Sequence, residues 1–275
     1  MKDSDINWEK VAVLEVQDYD DVSLEMKDVK GIKNFKLSFK VLIYENNDKR
    51  FYRLFAFLPF SFKSSWITTE QSDWKEYALE RLKGVLLSKY NEIKIRDYNH
   101  RNKFNQFKKI ISKQQNEEQL FGWYSSDLNH KHSYEKIGDK TIGEIWNELN
   151  SITKISTIKE LEGIKDYKPE LHLKKFVTML VNDRCGYCGL SVEDILLLAK
   201  KSQLFTKRAR GYTLEIDQKE AYKFYSDENC IASCYWCNNA KTDEFTEGEF
   251  ITISSHIKSS WNNRLGIENE VLSPK

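Results

Sequence analysis

Two cysteine pairs, Cys185-Gly-Tyr-Cys188 and Cys234-Tyr-Trp-Cys237, decide the fold of the last third of this chain. Two thiolates of a C-x-x-C pair bind one Zn²⁺ at about 2.3 Å, and two such pairs complete a closed tetrahedral site. We therefore predict a structural zinc held by Cys185, Cys188, Cys234 and Cys237. The remaining Cys230 is predicted to be a small core residue.

The segment between and after these pairs carries polar side chains at strand and helix spacing. Leu214-Glu-Ile-Asp-Gln218 alternates apolar and polar residues, which predicts a strand with Glu215 and Asp217 on one face. Asn238 and Lys241 stand three residues apart in a stretch without proline or glycine, so they share one face of a predicted helix. A hard cation such as Mg²⁺ takes oxygen ligands of the carboxylate and amide type. A strand and a helix could therefore present such a cation to phosphate.

In order and spacing these motifs resemble the zinc-bearing HNH endonucleases, also called ββα-metal or His-Me finger nucleases. The resemblance extends over about residues 171 to 250. It rests on the cysteine pairs, on the strand 214–217, on Asn229, and on the sequence Cys237-Asn-x-x-Lys241.

The resemblance implies a role for each matching position. Asp217 and Asn238 would be ligands of a catalytic Mg²⁺ or Mn²⁺, and Asn229 would fix the loop between the strands. Position 218 would be the histidine that deprotonates water, but this chain has Gln218. A primary amide accepts no proton at physiological pH. Since a general base contributes about 10²–10⁴-fold, both a slower nuclease and an inactive relative are consistent with the sequence.

Other groups could accept the proton in place of position 218. His172 precedes the first cysteine pair and His256 follows the second, so neither is close in sequence. Nearer candidates, among which the sequence does not choose, are Tyr212, Glu220, Tyr222 and Tyr225.

The leading hypothesis is a metal-dependent endonuclease that hydrolyses phosphodiester bonds of DNA, with RNA not excluded. Lys241 and the basic run at Lys207, Arg208 and Arg210 are candidate phosphate contacts, although a solvated surface explains the run equally well. By family analogy, the protein acts in bacterial restriction or anti-phage defence, beside an ATPase-type partner. The alternative is an inactive zinc module that binds nucleic acid or a protein. A disulfide oxidoreductase is disfavoured, because one metal accounts for all four paired thiols.

Composition supports an ordinary globular protein. The chain has 275 residues, 40% of them apolar, and a formal net charge of +1. This charge excludes a polycation that binds nucleic acid along its whole surface. The N-terminus is polar and no apolar run reaches the length of a membrane span, so we expect a cytoplasmic protein with reduced thiols.

The predicted fold class is α+β, with an N-terminal β-hairpin and helix, a helical connector and the C-terminal module that resembles the HNH endonucleases. Period-two alternation and aromatic content predict strands at 11–16, 35–41 and 51–57, with a turn at 46–48. A helix is expected from Ser72 or Asp73 to Leu87.

Two further segments complete the predicted organisation. The basic stretch 91–116 is either a solvated helix face or a nucleic-acid contact, and apolar spacing predicts a helix over 142–152. Pro169 marks a domain boundary. The predicted domains are 1–115, of unknown role, 116–170 and 171–265.

Overall fold

A computed structural model describes residues 13–26, 29–46, 49–58, 61–68, 73–111, 136–150, 154–181, 183–204, 211, 213–221 and 223–267. Helices and strands are mixed along these ranges, as the predicted α+β class requires. Among these ranges, none of the helices combines the length and apolar character that crossing a bilayer demands.

The N-terminal region is a four-stranded antiparallel sheet in the order β1-β2-β3-β4. Its strands are β1 (Val13–Met26), β2 (Val29–Asn46), β3 (Lys49–Leu58) and β4 (Ser61–Thr68). Leu37, Val41 and Leu54 are fully buried, as alternation predicts for one face of a sheet. The three predicted strands lie in β1 to β3, and the pairing of Asn46 with Lys49 confirms the predicted hairpin. Strand β4 was not predicted, because its sequence SFKSSWIT has few apolar residues.

The sheet is followed by helix α1 (Trp74–Ile111), which begins as predicted but ends much later. Asp73 caps it, since its Oδ1 accepts a hydrogen bond from the backbone N–H of Lys75 at 3.1 Å. The predicted end at Leu87 is wrong. No proline or glycine follows Leu87 within the helix, so nothing in the sequence stops the helical hydrogen bonding.

Contacts divide the chain into two compact units, each built from separate segments. Unit 1 consists of Met1–Leu86, Leu173–Asp217 and Ile231–Lys275, and unit 2 of Leu87–His172 and Gln218–Cys230. Unit 2 contains the second part of α1 and four short elements. These are β5 (Lys136–Ile137), β6 (Lys140–Thr141), α2 (Ile142–Asn150) and α3 (Ile158–Glu162). Helix α2 confirms the helix predicted from apolar spacing.

The C-terminal elements are arranged around the cysteine pairs. They are α4 (Leu173–Val181), α5 (Val192–Lys200), β7 (Leu214–Gln218), β8 (Cys230–Cys234), α6 (Tyr235–Lys241) and α7 (Glu247–Leu265). Strands β7 and β8 form a two-stranded sheet, and α6 starts at the residue after Cys234. The chain therefore has the strand–strand–helix order that was predicted for this module.

Candidate functional site

The four paired cysteines form one buried cluster. Their Sγ atoms all lie within 4.8 Å of one another, and those of Cys188 and Cys234 are 3.8 Å apart. Four sulfurs at about 2.3 Å from a central Zn²⁺ would be separated by about 3.8 Å in a tetrahedron. Cys185, Cys188, Cys234 and Cys237 therefore have the spacing of a four-thiolate metal site.

The ionisation of these thiols also fits a metal. Hydrogen bonds from the other cysteines, with Cys188 first, lower the pKa of Cys185. Hydrogen bonding to Cys185 raises the pKa of both Cys234 and Cys237. Ionisation of several of these sulfurs would crowd negative charges in a buried space. A divalent cation removes that obstacle. Cys230 lies outside the cluster and is buried, as predicted.

Local backbone packing explains how the first pair is held. The backbone N–H of Gly186 donates to the carbonyl of Ala232 on β8 at 2.7 Å. A Cβ on Gly186 would lie 2.3 Å from the side chain of Ile231, so a larger residue at this position would force the Ile231 side chain to move. In the second pair, the Cys234 sulfur accepts from the N–H of Cys237 at 3.4 Å and caps α6. Both pairs are therefore tied to the strand–helix junction.

Strand β7 and helix α6 face each other through two polar contacts. The Nδ2 atom of Asn238 donates to Oε2 of Glu215 at 2.5 Å. The Nζ atom of Lys241 lies 3.8 Å from Oδ2 of Asp217. Residues two apart on a strand and three apart on a helix both lie on one face. Glu215 and Asp217 therefore lie on one face of β7, as the alternation predicted, and each contacts one side chain of α6.

Asp217 has a second partner inside the first cysteine pair. The hydroxyl of Tyr187 donates a hydrogen bond to Asp217 Oδ2 at 2.9 Å. Burial, and then the negative charge of Asp217, raises the pKa of Tyr187 above its usual range. The phenol therefore stays protonated and keeps donating. The Tyr187 ring also meets Phe250 of α7 edge-on, with centroids 5.1 Å apart.

Lys241 is buried inside the fold, which does not agree with its predicted role as a phosphate contact. The residue is 0% exposed, while the side chain of Asp217 is 13% exposed. A fully buried ammonium does not contact a phosphate at the surface. Because an isolated buried charge is costly, Lys241 is better explained as the internal counter-charge of Asp217.

The loop between β7 and β8 is held by Asn229. Its Nδ2 donates to the carbonyls of Glu220, Lys223 and Phe224 at 3.0–3.2 Å, and its Oδ1 accepts from the N–H of Glu220 at 3.0 Å. This is the geometry that a loop-fixing role requires. Gln218 Nε2 donates to the carbonyl of Lys223 at 2.5 Å. The amide that replaces the expected histidine thus also stabilises the loop.

Within unit 2, a buried ion pair on α1 holds the same loop. Asp97 is 2% exposed and accepts from the N–H of Tyr225 at 3.2 Å, from Nε of Arg101 at 2.8 Å and from the hydroxyl of Tyr167 at 3.0 Å. Arg101 also donates to the carbonyl of Tyr225 at 3.2 Å and to Glu170 at 2.6 Å. Part of the basic stretch predicted as a solvated face or nucleic-acid contact therefore has an internal role.

The two histidines considered as bases differ in their surroundings. His172 Nδ1 lies 2.9 Å from Oδ2 of Asp227, a residue of the β7–β8 loop, and its backbone N–H donates to Oδ1 at 2.7 Å. The imidazole is exposed and oriented by a carboxylate. His256 is exposed on α7, with its Nδ1 3.1 Å from the carbonyl of Thr252.

The other predicted bases and phosphate contacts are only partly within the described ranges. Tyr225 is buried and its hydroxyl accepts from Arg96 at 3.4 Å, while Glu220 is half-buried in the loop. The following predicted residues lie outside the described ranges: Lys207, Arg208, Arg210, Tyr212 and Tyr222.

Sequence reasoning missed three features of the site. The alternation of β7 already placed Glu215 beside Asp217, but it gave no reason to pair Glu215 with Asn238. Tyr187 had no signal beyond its position between two cysteines. Asp97 and Arg101 stand four residues apart on α1, but their contacts with Tyr225 and Glu170 join residues far apart in the chain, so no local pattern indicated those contacts.

Comparisons with known proteins support the resemblance, although no protein-family model matches the chain. The chain is 25% identical over 148 residues to the "SPbeta prophage-derived putative HNH endonuclease YoqL" of Bacillus subtilis (strain 168), a match that covers 48% of this chain. It spans only 57% of that relative's length.

Among solved structures, the rare-cutting HNH restriction endonuclease PacI is similar at 22% identity, over 51% of this chain and 94% of that chain. The TM-score between the two structures is 0.30. The curated relative and the metal-compatible cysteine cluster confirm the predicted resemblance. Over the matched half of its length, this chain is similar to a putative HNH endonuclease.

Proposed function

We propose that this protein is a metal-dependent endonuclease that hydrolyses phosphodiester bonds of DNA. The observation that carries the proposal is the pairing of Glu215 and Asp217 on β7 with Asn238 and Lys241 on α6. The cysteine cluster fastens this strand–helix pair, and Zn²⁺ is its proposed occupant. The catalytic cation, Mg²⁺ or Mn²⁺, would be held by Asp217 and Asn238.

Each side chain has a separate task in this proposal. The bound cation would stabilise charge on the phosphorus and on the leaving oxygen. Tyr187 orients Asp217, and Lys241 offsets its charge within the fold. Asn229 fixes the loop that follows β7, and Gln218 can orient water without accepting its proton.

Plasmid nicking across a panel of divalent metals tests the proposal. Wild-type protein is expected to nick DNA with Mg²⁺ or Mn²⁺ and to lose nicking in Asp217→Ala and Asn238→Ala. Asn239→Ala is the matched control, because Asn239 neighbours Asn238 on α6 but is exposed and bonds only locally to the carbonyl of Tyr235 at 2.6 Å. Equal cleavage by wild type and both site variants would refute the ligand assignment. Single- and double-stranded DNA and RNA, assayed together, identify the substrate.

The biological setting extends the same proposal. The Bacillus subtilis relative is prophage-derived, as its name states. We propose a related role in restriction or anti-phage defence in the cytoplasm, with an ATPase-type partner. Plaque counts on cells expressing wild type or Asn238→Ala test the role, and equal counts would contradict it. Co-purification of a nucleotide-hydrolysing protein tests the partner.

A non-catalytic zinc module is the second candidate function. It is favoured by Gln218, whose amide occupies the position of the expected base and bonds within the loop. Such a module would bind nucleic acid or a protein without cleavage under any divalent metal. Salt-sensitive DNA binding that is unchanged in Asp217→Ala, together with no nicking, would establish this function instead.

A further inference from the structure

We propose that Glu215 is a ligand of the catalytic divalent cation and shares it with Asn238. This inference rests on the proposed function and adds a second carboxylate to the same site. The resemblance assigns a ligand role to Asp217 and none to Glu215. The geometry instead brings Glu215 directly against the amide of α6.

The separation of the two groups is close to that of two ligands on one cation. Oxygen atoms at about 2.1 Å from an octahedral Mg²⁺ lie about 3.0 Å apart when adjacent. The carboxylate oxygen of Glu215 and the terminal amide atom of Asn238 are 2.5 Å apart. A shift of about half an ångström, small for a side chain, would admit the cation.

The amide orientation does not oppose this arrangement. The oxygen and nitrogen of an asparagine amide exchange places when the group turns by half a rotation, and hydrogen bonding alone decides the assignment. Without a cation, the nitrogen of Asn238 faces the carboxylate. With a cation, the oxygen can face it instead, so that the same side chain serves both states.

The contacts of Asp217 explain why a second carboxylate is useful. One oxygen of Asp217 accepts from Tyr187 at 2.9 Å and lies 3.8 Å from the buried ammonium of Lys241. That ammonium offsets about one negative charge. Glu215 restores the net negative charge that attracts a divalent cation, which a single neutralised carboxylate would not supply.

A purely structural contact gives a different expectation. If Glu215 only fastens α6 to β7, then Glu215→Gln keeps an amide hydrogen bond and leaves metal binding unchanged. The Mn²⁺ affinity of Glu215→Gln therefore distinguishes a metal ligand from a purely structural contact, independently of DNA cleavage.

The experiment measures Mn²⁺ affinity by electron paramagnetic resonance on the full chain loaded with zinc. We expect Glu215→Gln to weaken Mn²⁺ binding by more than about 100-fold, because losing a partner that only positions a metal ligand costs about 10–100-fold. A smaller loss would assign Glu215 a positioning role and overturn its role as a ligand. Glu244→Gln is the matched control, since Glu244 is exposed and carries the same charge on the same unit. Zinc content and thermal unfolding verify that each variant is folded.

Asn238→Asp provides a second measurement that does not depend on Glu215→Gln folding well. Two facing carboxylates repel without a cation and bind it more tightly, so Mn²⁺ should raise the Tm of Asn238→Asp more than that of wild type. The double variant with Glu215→Gln should lose this extra rise. An equal Mn²⁺ effect on the Tm of wild type and Asn238→Asp would refute the shared cation.

The outcomes distinguish this inference from the proposed function. Wild-type affinity in Glu215→Gln, with binding lost in Asp217→Asn, would overturn the role of Glu215 and leave the nuclease proposal standing. Absence of Mn²⁺ binding in wild type would overturn both.

Discussion

The hydroxyl of Tyr187 donates a hydrogen bond to Oδ2 of Asp217, so the first cysteine pair directly supports the acidic face of β7. We predict that Tyr187→Phe keeps zinc but lowers Mn²⁺ affinity by about 10–100-fold, the usual cost of losing a partner of a metal ligand. The unfolding free energy should fall by only about 1 kcal/mol, because the substitution removes one hydrogen bond. Calorimetric titration and urea unfolding measure the two effects. Unchanged metal affinity would show that the hydrogen bond does not position Asp217.

Zinc removal tests the cysteine cluster. Binding to four thiolates stabilises small zinc modules by about 10–16 kcal/mol, so Cys185→Ser should abolish zinc binding and unfold the segment around the cysteine pairs. Cys230→Ala is the matched control, because Cys230 is buried but outside the cluster. Elemental analysis should give one zinc per chain for wild type and the control. Zinc retained in Cys185→Ser would contradict the assignment.

The buried ion pair of Lys241 predicts a stability effect that added salt does not remove. Lys241→Met removes the ammonium beside Asp217 and should cost about 3–5 kcal/mol of unfolding free energy, since breaking a buried ion pair leaves a charge uncompensated. Lys258→Met, at an exposed position of α7, should cost less than about 0.5 kcal/mol. Urea unfolding at low and high salt measures both. A cost in Lys241→Met that vanishes with salt would indicate an exposed ammonium.

The pH dependence of stability should report Asp97. Burial raises the pKa of this carboxyl above its ordinary value of 3.8, although Arg101 and Tyr167 partly oppose the shift. At pH values between 3.8 and the raised pKa, Asp97 keeps its proton in the folded protein but has lost it in the unfolded chain. The contribution of Asp97 to stability is therefore largest below this window and falls as pH rises through it.

Asp97→Asn keeps an oxygen acceptor for the N–H of Tyr225 but cannot titrate. Its unfolding free energy, compared with that of wild type at steps between pH 3.5 and 6, should lack this decline. Glu228→Gln, an exposed change on the β7–β8 loop, should follow the wild-type curve. Parallel curves for wild type and Asp97→Asn would show that Asp97 does not titrate in this range.

Local chemistry explains which features were predictable. The cysteine pairs, the alternation of β7 and the helix after Cys234 each depend on residues within a few positions, so the sequence predicts them directly. The length of α1 was underestimated because the apolar spacing fades after Leu87, whereas an unbroken helix needs only the absence of helix-breaking residues.

Features that depend on distant contacts were not predictable. Lysine is among the residues least often buried, so nothing in the sequence indicated that Lys241 would be enclosed beside Asp217. Arg101 was assigned to a solvated helix face or a nucleic-acid contact, because its partners Glu170 and Tyr225 are 69 and 124 positions away in the chain. Gln218 stood out only as a missing base, and its bond to Lys223 requires the folded loop.

The connection between β7 and β8 has a consequence for how such modules can be exchanged between proteins. Residues Gln218–Cys230 belong to unit 2 together with Leu87–His172. There, Asp97 and Arg101 form hydrogen bonds with the backbone of Tyr225. A fragment cut at the predicted boundaries 171–265 would contain every cysteine of the cluster but neither of these two side chains. Recombination that moves this fragment alone into another protein would therefore leave the β7–β8 loop without the hydrogen bonds from Asp97 and Arg101. Transfer should succeed only when the second part of α1 travels with it.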